Sequence, residues 1–355
     1  MVHIHVQSAR PSSDYVELKR LVKAAGLLEK QPIYYATKMV VLLSMLILSV
    51  LFLLFVRPFW LQLLNAVFLA IVTTQLGLLG HDAGHRQVFH ATWKNDLVGL
   101  IVGNFLIGMS NAWWIEKHNK HHSHPNQQDL DPDINIPIIA FGEDDLQRKG
   151  WLVQSLMKYQ AYIFFPVLLL VAFELQGNGV RFLLREKGKY VVLEWLLLGL
   201  HFLCYFALLL SHFAVWQAIL FMLVHQMLSG LYLGSIFAPN HKGMPVLDAD
   251  SPLDFLRRQV ITARNVHAHP LTDFWYGGLN YQIEHHLFPS MPRNQLKKAQ
   301  VIIKAFCLTH AIPYYETNWV QSYVEILQAL HRVSAPLRQA GSVRDTPASP
   351  ERQRG

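Results

Sequence analysis

Several organising features are scarce or missing in this 355-residue chain. It has two cysteines, Cys204 and Cys307, which excludes a disulfide scaffold and a thiolate metal site. Charged residues make up 15% of it, against about 25% in a typical soluble domain. An apolar surface facing something other than water follows from that shortage. There is no G-x-G-x-x-G turn and no P-loop, so the common phosphate cradles are excluded. Internal repeats are also missing. The first 35 residues are polar, with Lys19, Arg20, Lys23 and Lys30, and lack the apolar core of a cleavable leader. The net charge of +7 is compatible with nucleic acid or a membrane surface. Because the basic residues flank long apolar runs and form no single stripe, a membrane is expected and nucleic-acid binding is not.

What the chain does have is apolar segments of spanning length, in pairs. Residues 36–56 and 61–79 are joined by Arg57-Pro58-Phe59-Trp60, and residues 190–210 and 213–237 by almost nothing. Each is about the length a bilayer core requires. Asp96–Met109 is too short to span and is expected to be re-entrant or to lie at the surface. Ala161–Leu175 is flanked by basic residues on both sides, which keeps both flanks cytoplasmic. That segment is expected to dip or lie flat, with Pro166 bending it. The expected architecture is an all-α integral membrane protein: four transmembrane helices in two hairpins, interfacial helices, and a cytoplasmic histidine-rich helical cap. Residues 1–35 form a cytoplasmic segment and 36–331 the membrane domain, with the cap from 80–189 and 238–331. Residues 332–355, rich in Ser, Pro, Arg and Gln, read as a disordered tail.

Nineteen histidines are the unusual abundance, and three groups stand out. His81-Asp82-Ala83-Gly84-His85 ends the second span, His118-Asn119-Lys120-His121-His122 lies in a polar stretch, and Gln282-Ile283-Glu284-His285-His286 follows the fourth span. On a helix, positions i and i+3 or i+4 share a face, so each group can aim two side chains at one point. His121 and His122 lie about 100° apart, so one can serve each of two metal ions. His285 and His286 repeat that arrangement. Seven imidazoles are too many for one ion, and two ions are the economical reading. Isolated histidines such as His201, His212 and His225 are read as packed or hydrogen-bonded residues. His241, just past the fourth span, falls beside the clusters and is counted with the ligands. Gln282 sits at a ligand spacing and can bind a metal or its water, as can Asn240. Asp82 and Glu284 are candidates to orient ligand histidines, with a solvated charge as the alternative. For Asp129, Asp131 and Asp133 a surface turn is preferred. Spacing alone does not separate zinc, copper, iron and nickel.

These residues, together with Gly278–Pro289 around the third group, resemble the membrane fatty acid desaturases over roughly residues 35–315. Gln282 is similar to the front-end and bacterial acyl desaturases within that family. The resemblance implies two iron ions held by His81, His85, His118, His121, His122, His285 and His286, with His241 as an extra ligand. It implies an O2-dependent desaturation that places a cis double bond in an acyl chain. Trp113, Trp114, Trp275 and Tyr276 are candidates to line the acyl tunnel, or else interfacial aromatics. Front-end desaturases often carry a fused cytochrome b5 domain with His-Pro-Gly-Gly, whereas here His269-Pro270 is followed by Leu271. A separate donor is therefore expected, a ferredoxin or a cytochrome b5-like protein with its reductase. Arg257, Arg258, Arg264, Lys297 and Lys298 are a possible docking face for it, with plain membrane topology as the alternative reading of those charges. A bacterial inner membrane is the expected location. Hydroxylation on the same scaffold, a membrane metal transporter and a haem-binding carrier are the competing readings. The transporter would need ionisable residues inside the spans, where mainly Glu194 and His225 fall.

Overall fold

A computed structural model describes residues 11–186 and 190–344. Four helices are long and apolar enough to cross a membrane: α2 (Pro32–Phe55), α3 (Phe59–Gly84), α10 (Val191–His212) and α11 (Val215–His241). They meet the expected two hairpins. Proline at the start of α2 lacks only an N–H that the first helical turn leaves unpaired anyway. Arg57-Pro58 stops that helix, because a residue before proline is pushed out of the helical region. Three polar side chains then fasten the α2–α3 turn. Ser49 Oγ donates to Asn65 Oδ1 at 2.8 Å, Asn65 Nδ2 donates to Ser49 O at 3.0 Å, and Gln62 Nε2 donates to Val56 O at 2.6 Å.

The two hairpins are not equivalent in their inner and outer helices. α3 and α11 pack on one another, and 50% of the apolar window of each is buried. For α2 and α10 the figure is 17%, so these present most of their surface to lipid. The inner pair is also longer. At 1.5 Å per residue, 26 and 27 residues extend about 39 and 40 Å, beyond a hydrocarbon core of about 30 Å. The excess carries His81 and His241 up to the cap.

Between α3 and α10 the chain folds through short helices. α4 (Thr92–Gly99) runs into a π-helical turn (Leu100–Leu106), which bends by 115° into α5 (Asn111–Ser123). α6 (Glu143–Gln147) and α7 (Trp151–Met157) lead to α8 (Gln160–Leu168) and α9 (Val171–Leu183), which meet at 70°. Both bends fall where the sequence predicts non-spanning segments. The cap is completed by α12 (Phe255–Ile261), α13 (Pro270–Trp275), α14 (Gln282–Leu287), α15 (Arg293–Thr309) and α16 (Trp319–Val333). β1 (Asn265–Val266) and β2 (Glu316–Thr317) pair in parallel within it. α1 (Pro11–Ala24) seals the cap core through Leu18 and Val22, which join Leu256, Ile283, Leu287 and Leu296.

One expectation changes at the C-terminus. Residues 332–344 are not a disordered tail, since α16 reaches Val333 and α17 (Ala335–Arg344) follows. Val333 and Leu337 cover Leu146 and Met157, so apolar burial holds this segment. The rest of the expected tail lies outside the described residues, as do residues 1–10 of the N-terminal segment.

Candidate metal centre

Histidines from α3, α5, α11 and α14 converge above the inner helix pair. They sort into two groups. In one, His81, His85, His118, His122 and His285 bring one ring nitrogen each within 4.8 Å of all the others. In the other, His121, His241 and His286 do the same. Each adjacent pair is divided: His122 faces the group of five and His121 the group of three, and likewise His285 and His286. The helical angle read from the sequence is thus realised on α5 and on α14. His122 and His286 stack at 4.2 Å and hold the groups side by side.

The rings meet nitrogen to nitrogen. His118 Nε2 is 2.8 Å from His85 Nε2 and 3.0 Å from His122 Nε2; His241 Nε2 is 3.3 Å from His121 Nε2 and 3.1 Å from His286 Nε2. His81 Nε2, His122 Nδ1 and both ring nitrogens of His285 are buried without a hydrogen-bond partner among the described residues. Buried polar atoms are ordinarily paired, so lone pairs aimed at common points are the arrangement a cation completes. Protonation agrees. Burial, and then the neighbouring imidazoles, depress His85, His118, His122, His285 and His286 well below the usual histidine range. Neutral rings are the form that binds metal. An all-imidazole donor set suits zinc, copper, iron or nickel.

The group of three is oriented from behind on every ring. His121 Nδ1 lies 3.0 Å from Asp131, His241 Nδ1 is 3.0 Å from Thr262 O, and His286 Nδ1 is 2.8 Å from Gln259 Oε1. Each acceptor fixes the Nδ1–H tautomer and leaves Nε2 for the centre. Burial alone would depress His121, but the Asp131 and Asp133 carboxylates outweigh it and raise the pKa. Asp131 itself is occupied by Asn126 N and Asp133 N as well, so it supports His121 instead of offering a further ligand. This corrects the surface-turn reading for Asp131, which is buried; Asp129, exposed and paired with Arg148, fits it. A D-P-D segment looks like a turn in sequence, and nothing local shows that its first carboxylate folds inward.

The other candidates fall as follows. Gln282 presents its amide to His241 Nε2 at 2.9 Å, and Asn240 Nδ2 donates to Gln282 Oε1 at 2.9 Å from behind. Asp82 bridges His81 Nδ1, at a long 3.4 Å, and Arg293. Glu284 is neither solvated nor beside a histidine ring. It accepts from Asn265 Nδ2 at 2.6 Å and Tyr314 OH at 2.8 Å, and burial pushes its carboxyl up to about 7. Trp114 stacks on His118 at 4.6 Å, whereas Trp113 lies beneath Lys117. Trp275 packs at a tilt on Tyr232 of α11 with ring centroids 3.9 Å apart, and Tyr276 is fully buried against α3 and α11. The isolated histidines behave as expected: His225 bonds Tyr205 and Thr73, and His201 bonds Phe105 O. The basic docking face shrinks. Arg264 is buried among Pro239 O, Lys242 O and Glu325, and Arg257 is paired with Asp14 and Asp254. Both hold the cap together; Arg258 borders an open groove that reaches His122 and His286.

The family model described as fatty acid desaturase matches residues 58–318. An acyl-lipid (9-3)-desaturase of Physcomitrium patens is 31% identical over 336 residues, covering 90% of this chain and 62% of the relative. A Delta(8)-fatty-acid desaturase of Euglena gracilis is 31% identical, covering 85% and 74%. A Delta(6)-fatty-acid desaturase of Caenorhabditis elegans is 29% identical, covering 92% and 76%. The chain thus spans less than two thirds of the moss relative and about three quarters of the other two.

Proposed function

Because this chain belongs to the fatty acid desaturase family, we propose that it is a membrane oxidoreductase that places a cis double bond in a fatty acyl chain. O2, two electrons and two protons are consumed; two hydrogens leave adjacent methylenes and two waters form. The observation that carries the reading is the division of eight buried or half-buried histidines into groups of five and three. His81, His85, His118, His122 and His285 hold one iron ion; His121, His241 and His286 hold the other, with Gln282 beside it. Bound iron supplies O2 activation and the oxidising strength that an unactivated C–H bond demands.

The protein's own contribution is positioning. Asp131, Thr262 O and Gln259 orient the three-histidine group. Asp82, clamped by Arg293, does so more weakly for His81. Burial of His81, His85, His121, His241 and His285 limits bulk water to the groove at His122 and His286. The position of Trp114 against His118 and His81, and of Trp275 at the head of the inner helices, supports the reading that these aromatics guide an acyl chain toward the centre; the fully buried Tyr276 packs behind Trp275. Electrons come from a donor outside this sequence, a ferredoxin or a cytochrome b5-like protein with its reductase. It approaches the groove at Arg258, through which His122 and His286 are reached.

Four crossings, with the centre and both ends of the described residues on one side, fit this arrangement. His85 touches His118, so the α4–α5 bend returns to the side it left. His121 touches His241, and α10 and α11 already cross twice between them, so α8–α9 makes no net crossing. Of 31 Lys and Arg, only Arg57 then lies on the far side, and that bias supports a cytoplasmic centre. A bacterial inner membrane gains no support from these relatives, each of which is eukaryotic. Relatives named for positions 5, 6 and 8 point to a double bond in the carboxyl half of the chain.

The test is expression in a host without its own desaturase, with total fatty acids analysed by gas chromatography–mass spectrometry beside a His121→Ala control. A new cis-unsaturated acid, absent from the control, is expected. Hydroxylated acids alone would change the reaction class. No product, with iron bound and donors of both kinds supplied, would overturn the reading.

A further inference from the structure

The helix bearing the second histidine box is held at its first turn by a carboxylate from a membrane span. Glu194 lies in the first turn of α10 and is 1% exposed. A buried carboxylate without partners is strongly unfavourable, and this one has three. Its Oε2 accepts from Asn104 Nδ2 at 2.9 Å and from Ser110 Oγ at 2.6 Å; its Oε1 accepts from the Ala112 backbone N–H at 3.0 Å. All three donors lie around the bend between the π-helical turn and α5.

Those donors are themselves part of the helix start. Ser110 caps α5, its Oγ accepting from Trp113 N at 3.2 Å, and Asn104 Oδ1 accepts from Asn111 N at 3.2 Å. One carboxylate therefore gathers the cap residue, its neighbour's partner and a free N–H of the first turn, at the helix end where negative charge is favoured. The space around the bend is already filled. A Cβ on Gly179 of α9 would stand 3.0 Å from Ser110 N, and Gly108 takes a φ of +74° to make the turn. From this fixed start α5 runs straight to His118, His121 and His122.

We infer that Glu194 is a positioning residue of the metal centre, anchoring the start of α5 so that its three histidines reach both ligand groups. The inference rests on the metal-binding reading given above. α5 supplies two of five histidines to one group and one of three to the other. A tilt of α5 leaves three imidazoles in the first and two in the second, so the second loses its ion first. Glutamine is an incomplete replacement, because its single carbonyl oxygen cannot serve donors that converge on two carboxylate oxygens.

The full chain, Glu194→Ala and Glu194→Gln are to be purified in detergent and loaded with Fe2+ and, separately, with Co2+. Metal per chain, the Co2+ ligand-field spectrum and the melting of the metal-free proteins are read. The unchanged chain should bind about two ions, Glu194→Ala about one with an altered spectrum, and Glu194→Gln an intermediate amount. The metal-free Glu194→Ala should melt lower, because it leaves three buried donors unpaired, so metal content is compared at a temperature at which every variant is folded. Full metal content and an unchanged spectrum in Glu194→Ala overturn the inference and leave the metal-binding reading intact. So does a Glu194→Ala that fails to fold beside a Glu194→Gln with unaltered binding, since the carboxylate then serves folding only. If the unchanged chain binds no metal, the metal-binding reading falls and this inference with it.

Discussion

The two histidine groups solve the same problem by different means. The group of five has donors in excess and little support behind them: His81 leans on Asp82 at 3.4 Å, and His122 Nδ1 and both nitrogens of His285 have no partner among the described residues. The group of three has few donors, each ring fixed through Nδ1 by an acceptor at 3.0 Å or less. Redundancy therefore protects the first site and orientation the second. The difference follows from the scaffold. The first group lies over α3 and α5, where boxes at helical spacing supply many rings. The second lies at the end of α11, among cap segments that contribute backbone and amide acceptors.

The largest effect should come from removing a ring where none is spare. His286→Ala leaves two histidines in its group, and we expect about one ion fewer per chain and a loss of product of more than about 100-fold. His285→Ala leaves four in its group and should keep both ions. Equal metal loss in the two variants, measured by elemental analysis, would break the comparison. Next is the support behind the rings. Asp131→Asn should weaken the ion in the three-histidine group by about 10–100-fold in a chelator competition. Asp82→Asn should instead strike stability, because it leaves the buried Arg293 charge unpaired, at a cost of about 3–5 kcal/mol. A thermal melt of each metal-free variant separates the two; the reverse assignment would show that the support is not where the distances place it. Gln282→His sharpens the comparison from the other side. A fourth imidazole beside His241 should make the two ions leave at closer chelator concentrations, and an unchanged gap would show that the amide lies outside the ligand set. The smallest effect belongs to Trp114→Phe, which keeps an aromatic face against His118 and should cost less than about 1 kcal/mol, read as product formed per hour.

Much of this is legible in the sequence. Spanning length, the basic flanks that forbid Ala161–Leu175 from crossing, and the 100° offset within His121-His122 and His285-His286 all depend on neighbours in sequence. The spanning lengths and the offset agree with the four long helices and the divided pairs that the structure shows. What escaped was whatever depends on the distant side of a contact. Asp131 and Asp129 occupy the same short segment, yet one is buried on His121 and the other pairs with Arg148 in solvent. Glu284 sits inside a histidine box, but its carboxylate turns to Asn265 and Tyr314. Arg257 and Arg264 look like exposed positive charge and are internal struts.

The sequence by itself determined which helices are long and apolar enough to span, the helical phase of each histidine box, and therefore that adjacent histidines divide between two groups. These are consequences of 1.5 Å rise, 100° rotation and the thickness of a bilayer, which act over a few residues at a time. Only the tertiary structure decided which histidine joins which group, and which atoms orient it. His85 and His285 come together across most of the chain, and Thr262 orients His241 through a backbone carbonyl that every residue type carries. A carbonyl oxygen has no signature in the sequence; its role exists only once the cap has packed over the membrane helices.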